Sequence, residues 1–229
     1  MKIKIAPAIM DGDLARLADQ VALVEEAGAD LIHVDIMDGH YVPSFVGGPR
    51  VVKAIKRCAT IPVDVHLMVT NPDQAAEWFI DAGADILIFH PDASADPAAL
   101  IGRLHEAGRS AGIALNPDVA PETIEPFARE LDCIVAMTVF PGFSGQEFLE
   151  SGCAKIPALR RLCRKGIDIY ADGGIGPATV PVAVRYGANV MAAASAVFAS
   201  DVKPAEAIRR LRRNAEAVRQ PSDITGHDD

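Results

Sequence analysis

The sequence contains no hydrophobic run long enough to cross a membrane. Its longest apolar run, VMAAASAVFA at residues 190–199, has about half of the roughly 20 residues that a membrane-spanning helix needs. The N-terminus, MKIKIAPAIM, alternates isoleucine with lysine and so lacks the continuous apolar core of a signal peptide. We therefore expect a protein without a membrane segment, and the N-terminus is typical of a strand.

An excess of positive charge is also lacking, since 22 lysines and arginines stand against 31 aspartates and glutamates, for a formal net charge of −9. Such a surface repels nucleic acids and anionic membranes, whereas a small anion can still bind in a local pocket. The four cysteines form no CxxC pair, and a chain of 229 residues needs no disulfide staples. These absences favour a cytoplasmic protein with reduced thiols and a small-molecule partner.

What the sequence does contain is a repeated unit, in which a short apolar run typical of a strand precedes a run with helix spacing. In EEAGADLIHV and IDAGADILIF a helix ends at Ala-Gly, because glycine takes the left-handed cap position, and a strand follows. Eight strands are predicted at residues 2–9, 30–37, 62–69, 85–91, 111–117, 133–139, 168–174 and 189–197. Helices are predicted at residues 14–28, 51–58, 73–83, 97–108, 122–131, 155–163, 178–187 and 204–218.

Eight such units without a break in composition predict a single α/β domain over residues 1–218, a (β/α)8 TIM barrel. The polar residues 219–229 have nothing to pack with, and we expect a flexible C-terminal tail there. A doubly wound open sheet is the alternative, but no GxGxxG follows the first strand. Because barrel enzymes carry their active sites at the C-terminal ends of the strands, polar residues at those ends are the candidates for function.

Two predicted strands carry polar residues that share one face. On DLIHVDIM the residues two apart are His33, Asp35 and Met37, and on PVDVHLMV the same spacing joins an aspartate, His66 and a methionine. The intervening residues are all apolar and suit the side that packs on helices. The polar face therefore points into the barrel, and Asp172 ends a third strand at the same rim.

A single buried histidine satisfied by hydrogen bonds would need no further explanation. Four inward polar groups favour a cation, since burying an unpaired carboxylate costs several kcal/mol and no lysine or arginine lies at a strand end. Imidazoles and carboxylates are common ligands of divalent metals. The sequence therefore predicts a divalent metal ion, zinc first with iron, manganese and cobalt as alternatives, held by His33, Asp35, His66 and Asp172.

Small residues follow the sixth, seventh and eighth strands, in TVFPGFSGQ, ADGGIGP and AASAV. Phosphate sites of barrel proteins commonly use the loops after strands seven and eight. Glycine lets backbone N–H groups approach an anion closely, although it is equally usual in a tight turn between strand and helix. The position of these loops on adjacent strands favours a phosphate site that includes Gly142, Gly145, Gly173 and Gly174.

These motifs together resemble a known family. IAPAI, HVDIMDGHYVP, DVHLMV, ALNP, MTVFPGFSGQ and DGGI stand in the order found in the ribulose-phosphate 3-epimerases, and the similarity runs from about Lys4 to Phe198. The resemblance implies a TIM barrel of the ribulose-phosphate binding type. It also implies a metal-dependent isomerase of the pentose phosphate pathway that interconverts D-ribulose 5-phosphate and D-xylulose 5-phosphate, and that forms homo-oligomers.

Carried over position by position, the resemblance assigns roles to individual residues. It implies that the metal ligands are His33, Asp35, His66 and Asp172. It implies that Asp35 and Asp172 are also the two proton-transfer groups, acting through a metal-stabilised enediolate. It implies a cap over that intermediate made by Met37, Met68 and Met137. It implies that substrate and phosphate are bound by Gly142, Phe143, Ser144, Gly145, Gly173, Gly174, Ala194 and Ser195.

The departures from the family pattern lie on the substrate side. Ala8 stands where the family usually has the serine of APSI, and the other departures are Ser44, Phe45, Val46, Gly47, Ser144 and Ala194. None removes a metal ligand or a proton-transfer group, so the reaction type is unaffected. A pocket that binds a hydroxyl discriminates strongly by it, so another ketose phosphate, such as D-allulose 6-phosphate, is the alternative substrate. Drift without a change of substrate is the simpler interpretation.

Two other function classes fit less well. Phosphate-binding barrel decarboxylases and aldolases use D-x-K-x-x-D, and the lysine is absent from the stretch Asp35-Ile36-Met37-Asp38. A non-catalytic sugar-phosphate-binding barrel would need no acids on two faces. His90, at the end of IFHP, either lines the pocket or packs at the strand end, and Asp64, one pleat below His66, can orient a metal ligand.

Overall fold

The strands of this computed structural model, which describes residues 1–218, curl into a barrel. The strands assigned in that range are β1 Lys4–Pro7, β2 Ile32–Asp38, β3 Phe45–Val46, β4 Val63–Met68, β5 Ile86–Phe89, β6 Ser110–Leu115, β7 Cys133–Met137, β8 Asp168–Asp172 and β9 Val190–Ala193. Eight of them pair in parallel in the order β1-β9-β8-β7-β6-β5-β4-β2. A parallel bridge between Ala8 and His33 brings the two ends of this order together. The predicted TIM barrel is confirmed, and the predicted tail at residues 219–229 lies outside the described residues.

The short strand β3 does not belong to the barrel wall. It pairs antiparallel with the end of β2, with Met37 opposite Val46 and Asp38 opposite Phe45. The sequence did not predict it, because two residues are too few to show a periodicity. The pairing folds the chain after β2 back across the C-terminal end of the barrel.

Apolar side chains pack on both faces of the strands, as expected for parallel strands covered by helices. The larger cluster lies between strands and helices, and the smaller one fills the barrel interior around Tyr170, the largest fully buried side chain. Gly112 on β6 has no side chain, and the space beside it is filled by Ile88 and Cys133 from the two neighbouring strands. A Cβ at Gly112 would lie 2.5 Å from the Sγ of Cys133 and 2.8 Å from the Cγ1 of Ile88, so any larger residue would displace both.

The helices assigned in the described range are α1 Leu17–Glu26, α2 Pro49–Lys56, α3 Pro72–Ala82, α4 Pro97–Glu106, α5 Glu150–Ala154, α6 Ile156–Leu162, α7 Val180–Tyr186, α8 Ser195–Phe198 and α9 Pro204–Glu216. Asn71 and Asp96 cap α3 and α4 by accepting a backbone N–H of the first turn. Gly83 and Gly187 end α3 and α7 with φ of 95° and 104°, so both helices close on a left-handed glycine. None of the helices within residues 1–218 is long and apolar enough to span a bilayer.

The helix predicted at residues 122–131 is wrong. The chain forms a 3-10 turn at Pro121–Ile124 and continues in turns, with hydrogen bonds three residues apart such as Phe127 N–H to the Ile124 carbonyl. Pro126 is the cause, because it lacks an N–H and its ring clashes with the carbonyl four residues earlier in an α-helix. The apolar residues have helix spacing, but the backbone cannot form an α-helix through Pro126.

The strand predicted at residues 189–197 is too long at its C-terminal end. Strand β9 ends at Ala193, and the chain turns directly into helix α8, whose backbone N–H groups at Val197 and Phe198 bond to the Ala194 carbonyl. A short apolar run such as AAASAV carries no periodicity that separates strand from helix. The switch places Ser195 at the first position of a helix.

Candidate active site and metal centre

The four predicted metal ligands lie together at the C-terminal end of the barrel. His33 and Asp35 come from β2, His66 from the adjacent β4, and Asp172 from the last position of β8. One ligand atom of each lies within 4.8 Å of all the others. The strand register produces this closeness, because Asp35 sits directly opposite His66 in the parallel pair of β2 and β4.

The distances within the cluster suit a bound cation. Nε2 of His33 lies 3.3 Å from Asp35 Oδ1 and 3.6 Å from Asp172 Oδ2, and Nδ1 of His66 lies 3.6 and 3.4 Å from the same two oxygens. A tetrahedral zinc ion with ligands at about 2.0–2.1 Å separates its ligand atoms by roughly 3.3 Å. Both imidazole nitrogens are buried and have no hydrogen-bond partner among the described residues. The four residues therefore fit a divalent metal ion.

The charges of the cluster lead to the same conclusion. Burial lowers the pKa of His33, but the charges of Asp64 and Asp35 outweigh it and hold that pKa well above its ordinary value. Burial also lowers the pKa of His66, but its contacts with Asp172 and Asp35 outweigh burial, so this pKa lies above its ordinary value. Without a metal, the carboxylates thus favour the protonated, positively charged form of both imidazoles. A divalent cation carries the same charge and can replace both protons.

The pKa of each of the two carboxylates lies below its ordinary value in this environment. Burial raises the pKa of Asp35, but the charge and close contacts of His33 and His66 bring it below its ordinary value. For Asp172, burial again raises the pKa, but the close contacts with the same two histidines outweigh burial, so this pKa also lies below its ordinary value. Both groups are therefore available as metal ligands and as proton acceptors.

Asp64 holds His33 from behind. It lies opposite His33 in the register of β2 and β4, is fully buried, and its Oδ1 contacts the Nδ1 of His33. Its other oxygen accepts a hydrogen bond of 3.4 Å from the hydroxyl of Tyr170. A carboxylate that accepts the proton of one imidazole nitrogen leaves the other nitrogen bare and aimed at the metal. The predicted orienting position of Asp64 agrees with this geometry.

Replacing Asp64 with asparagine is expected to weaken zinc binding by about 10-fold, because outer ligands of this kind typically contribute 10- to 100-fold and the amide oxygen still accepts a hydrogen bond. Competition against a chromophoric chelator measures the dissociation constant. Asp168→Asn is the matched control, since Asp168 is a strand aspartate that pairs with Lys4, away from the cluster. Equal zinc affinity of the Asp64→Asn variant and the wild type would contradict the assignment.

His90 lies behind the other histidine of the cluster, His66. Its Nε2 is 3.0 Å from the Nε2 of His66, the two ring planes differ by 23° with centroids 5.1 Å apart, and the side chain is buried. It does not line the cavity that the carboxylates face. Burial lowers the pKa of His90 well below its ordinary value, and the neighbouring His66 lowers it further. The sequence left two roles open for His90, lining the pocket and packing at the strand end. The structure places His90 outside the pocket lining.

A cavity of about 250 Å³ opens directly above the cluster. Asp35 and Asp172 line it and keep 19% and 15% of their side-chain area exposed, whereas His33 and His66 are fully buried below. The predicted cap residues also line it: Met37, Met68 and Met137. The two carboxylates thus face one small space from different walls, β2 and β8.

The predicted substrate-binding residues all border this cavity, namely Gly142, Phe143, Ser144, Gly145, Gly173, Gly174, Ala194 and Ser195. Gly173 has a φ of 109°, and a Cβ there would lie 2.3 Å from a methyl group of Val139, so only glycine fits. No lysine, arginine or histidine of the described chain lines the cavity. The donors that the described lining offers include backbone N–H groups and the hydroxyls of Ser44, Ser144 and Ser195.

The structure adds cavity residues that the sequence reasoning missed. Asp11 follows β1 at the same rim, and its position after a strand end was the available signal. Burial raises the pKa of Asp11 and the charge of Asp35 adds to this, while a hydrogen bond with Ser144 opposes it. Gln146 also lines the cavity, and its Nε2 donates to the carbonyls of Phe140 and Phe143 at 2.7 and 2.8 Å. Gln146 therefore braces the loop after β7, which no sequence pattern indicated.

Fold and site together define a barrel enzyme with a two-histidine, two-aspartate cluster suited to a divalent metal and two carboxylates facing one cavity. A family model described as "Ribulose-phosphate 3 epimerase family" matches residues 4–198. The chain therefore belongs to the ribulose-phosphate 3-epimerase family, whose members are isomerases.

Curated relatives agree with this membership. The chain is 41% identical over 208 residues to "Ribulose-phosphate 3-epimerase" of Bacillus subtilis (strain 168), covering 89% of this chain and 96% of the relative. It is also 41% identical over 216 residues to "Ribulose-5-phosphate-3-epimerase, chloroplastic" of Arabidopsis thaliana, covering 92% of this chain and 76% of the relative. The aligned segments span most of this chain in both cases.

Solved structures of other enzymes share the fold alone. A 3-hexulose-6-phosphate synthase superposes with a TM-score of 0.71 at 19% identity, covering 93% of this chain and 99% of the other. An orotidine 5'-phosphate decarboxylase from Pyrococcus horikoshii OT3 superposes with a TM-score of 0.65 at 16% identity, covering 93% of this chain and all of the other. At this level of identity the likeness describes the barrel and not the chemistry.

Proposed function

We propose that this chain is a metal-dependent 3-epimerase that interconverts D-ribulose 5-phosphate and D-xylulose 5-phosphate. One observation carries the proposal: Asp35 on β2 and Asp172 on β8 both face a single cavity of about 250 Å³ and share the same two histidines. Family membership and curated relatives named as ribulose-phosphate 3-epimerases support it.

The chemistry of a 3-epimerase requires two acid/base groups. Inverting C3 of a ketose phosphate means removing the proton next to the carbonyl and returning a proton to the opposite face of a flat intermediate. In one direction Asp35 accepts the first proton and Asp172 donates the second, and the roles exchange in the reverse direction. The lowered pKa of Asp35 suits the accepting role. Asp172 must carry a proton at the start of this direction, so that one proton leaves the sugar and one returns to it.

The proposed metal ligands are His33, Asp35, His66 and Asp172. When bound, a divalent ion supplies Lewis-acid polarisation of the ketone, which makes the C3 proton acidic enough for a carboxylate to remove. Zinc is the first choice, and iron, manganese or cobalt suit the same donor set. The imidazoles, fully buried below the carboxylates, keep the donor set dry and in fixed orientation.

The remaining cavity residues are proposed to exclude water and bind the ends of the substrate. Met37, Met68 and Met137 form an apolar surface without exchangeable protons beside the two carboxylates. The loops that carry Gly173 and Ser195 offer backbone N–H groups and a hydroxyl for the phosphate, in a cavity to which residues 1–218 contribute no basic side chain.

The alternative substrate, D-allulose 6-phosphate, is favoured by specific positions. Ala8, Ser44 and Ser144 depart from the family pattern and all line the cavity. Ala8 offers no hydroxyl to a sugar oxygen, and binding pockets discriminate strongly by such a group. Family membership and the curated relatives still favour ribulose 5-phosphate, which is proposed as the preferred substrate, with the hexulose phosphate as the competing candidate.

Deuterium incorporation at C3 is the test that separates these proposals. Incubating the zinc-loaded protein in D2O with either sugar phosphate is expected to place deuterium at C3 and to form the epimer, faster with ribulose 5-phosphate. Each sugar phosphate incubated without protein is the control, and NMR locates the deuterium. Exchange with allulose 6-phosphate alone would make that sugar phosphate the substrate. Exchange with neither would contradict the epimerase proposal and favour a protein that only binds a sugar phosphate.

We further propose a cytoplasmic location and assembly into homo-oligomers, as the sequence and its family resemblance predict. Light scattering of the purified protein measures the number of copies, and a monomeric mass at micromolar concentration would contradict the second proposal. Cell fractionation tests the first.

A further inference from the structure

The two histidines of the cluster turn different nitrogens toward the carboxylates. His33 presents Nε2, and its Nδ1 contacts the carboxylate of Asp64. His66 presents Nδ1, and its Nε2 lies 3.0 Å from the Nε2 of His90. The first imidazole is thus backed by a carboxylate and the second by another imidazole, and both partners are buried.

The positions of the hydrogens follow from these contacts. A nitrogen that binds a metal carries no hydrogen, so a neutral His66 bound through Nδ1 must carry its hydrogen on Nε2. At 3.0 Å from each other, the two Nε2 atoms share one hydrogen, which then belongs to His66. His90 must therefore present a bare Nε2 as acceptor and carry its own hydrogen on Nδ1.

We propose that His90 is a positioning residue that holds His66 with Nδ1 bare and directed at the metal. The inference rests on the metal site of the proposed function and adds a role for a residue that touches neither metal nor substrate. The ring of Tyr41, whose centroid lies 4.9 Å from that of His90, packs against His90 and limits its movement. Asn116 in turn donates to the Tyr41 hydroxyl at 3.3 Å.

A neutral acceptor suits the charge of this interior. Asp35, Asp64 and Asp172 already place three carboxylates in the cluster, against the two positive charges of a divalent ion. A carboxylate behind His66, in place of His90, would add a fourth negative charge to a closed region. An imidazole accepts the same hydrogen bond without adding charge.

Matched substitutions at position 90 separate the acceptor from simple packing. Glutamine is long enough to place its amide oxygen where Nε2 of the histidine lies, asparagine reaches only the Nδ1 position, and leucine fills space without an acceptor. We expect His90→Asn and His90→Leu to raise the zinc dissociation constant about 10- to 100-fold, and His90→Gln to stay within about threefold of the wild type. His105→Gln is the control, since His105 pairs with Asp132 at the surface. Far-UV circular dichroism checks that each variant is folded.

Nitrogen-15 NMR of the imidazole rings tests the hydrogen positions in the unmodified, zinc-loaded protein and needs no variant. Long-range ¹H–¹⁵N spectra are expected to show His66 protonated at Nε2 and His90 protonated at Nδ1, with His33 protonated at Nδ1. A hydrogen on Nε2 of His90 would overturn the inference. So would wild-type zinc affinity in His90→Leu, or an affinity of His90→Gln as low as that of His90→Asn.

The same experiments distinguish failure of this inference from failure of the proposed function. A wild-type protein that binds no divalent metal would overturn the metal site and the role of His90 with it. A wild-type protein that binds zinc, together with position-90 variants that bind it equally well, would overturn the role of His90 alone.

Discussion

Replacing Asp172 with asparagine is expected to lower the rate of epimerisation by roughly 10³-fold or more, because inversion at C3 cannot be completed without the second acid/base group. Asparagine has nearly the same shape and can still occupy its place beside His33 and His66, but it can neither accept nor donate the proton. Coupled measurement of xylulose 5-phosphate formed from ribulose 5-phosphate gives the rate. Asp168→Asn, on the same strand and paired with Lys4, should retain wild-type activity.

Exchange of the C3 proton with D2O tests Asp35 and Asp172 separately. With Asp35 intact, the Asp172→Asn enzyme should still exchange the C3 proton of one epimer with D2O, without inverting it, because Asp35 removes a proton from its own face and returns it there. Asp35→Asn should show exchange with the other epimer only. Zinc content must be measured for each variant, since both residues are proposed ligands. Intact turnover in either fully loaded variant would disprove the assignment of two bases.

Removing the metal ion is expected to abolish activity and to make the stability of the protein depend on pH. Dialysis against a strong chelator should leave no measurable epimerisation, and adding Zn²⁺ or Mn²⁺ should restore it, because the C3 proton is then again acidified. Full activity after complete removal of metal, verified by elemental analysis, would contradict the proposed function. The control is the same dialysis with metal present in excess.

The direction of the pH effect follows from the pKa shifts. In the metal-free protein the pKa values of His33 and His66 are raised above their ordinary value of 6.5, so their stabilising contribution is complete below about pH 6.5. It is lost as the pH rises through the raised values. The pKa values of Asp35 and Asp172 are lowered from 3.8, so their contribution is lost as the pH falls below that value.

Thermal unfolding across this range measures the effect. The metal-free protein should be most stable between about pH 4 and pH 6.5 and should lose stability as the pH rises above this range. The zinc-loaded protein should instead gain relative stability as the pH rises, because protons compete with the metal for the same nitrogens. Equal pH profiles of the metal-free and loaded protein would show that the histidines do not exchange protons for metal.

Much of the fold and of the cluster could be predicted from the sequence because both depend on local periodicity. Residues two apart on a strand share a face, so His33 and Asp35 had to point the same way, into the barrel once their neighbours were apolar. Parallel strands of a barrel all end at one rim, which is why strand-end residues such as Asp172 were candidates before any contact was known. The specific motifs of the family supplied the rest of the predicted site.

Local sequence was less reliable where the backbone chemistry overrode the pattern. Residues 122–131 have helix spacing, yet Pro126 removes the hydrogen bond and the space that a helix needs there. The run after Ala193 is apolar enough for either structure, and it forms helix α8.

The strand register and the packing between distant segments were decided only by the tertiary structure. Asp64 contacts His33 across 31 residues of chain because β2 and β4 align these two positions. His90 contacts His66 across 24 residues although the register places Ile88 opposite His66, so this contact depends on how the chain leaves β5. Asp11 reaches the cavity for a similar reason, since β1 ends at the rim where the loop with Ser144 folds over. By itself the sequence determined which residues face the barrel, because that depends on a period of two along each strand. Which of them touch was determined by the closure of the barrel, because contacts between distant strands have no local periodicity.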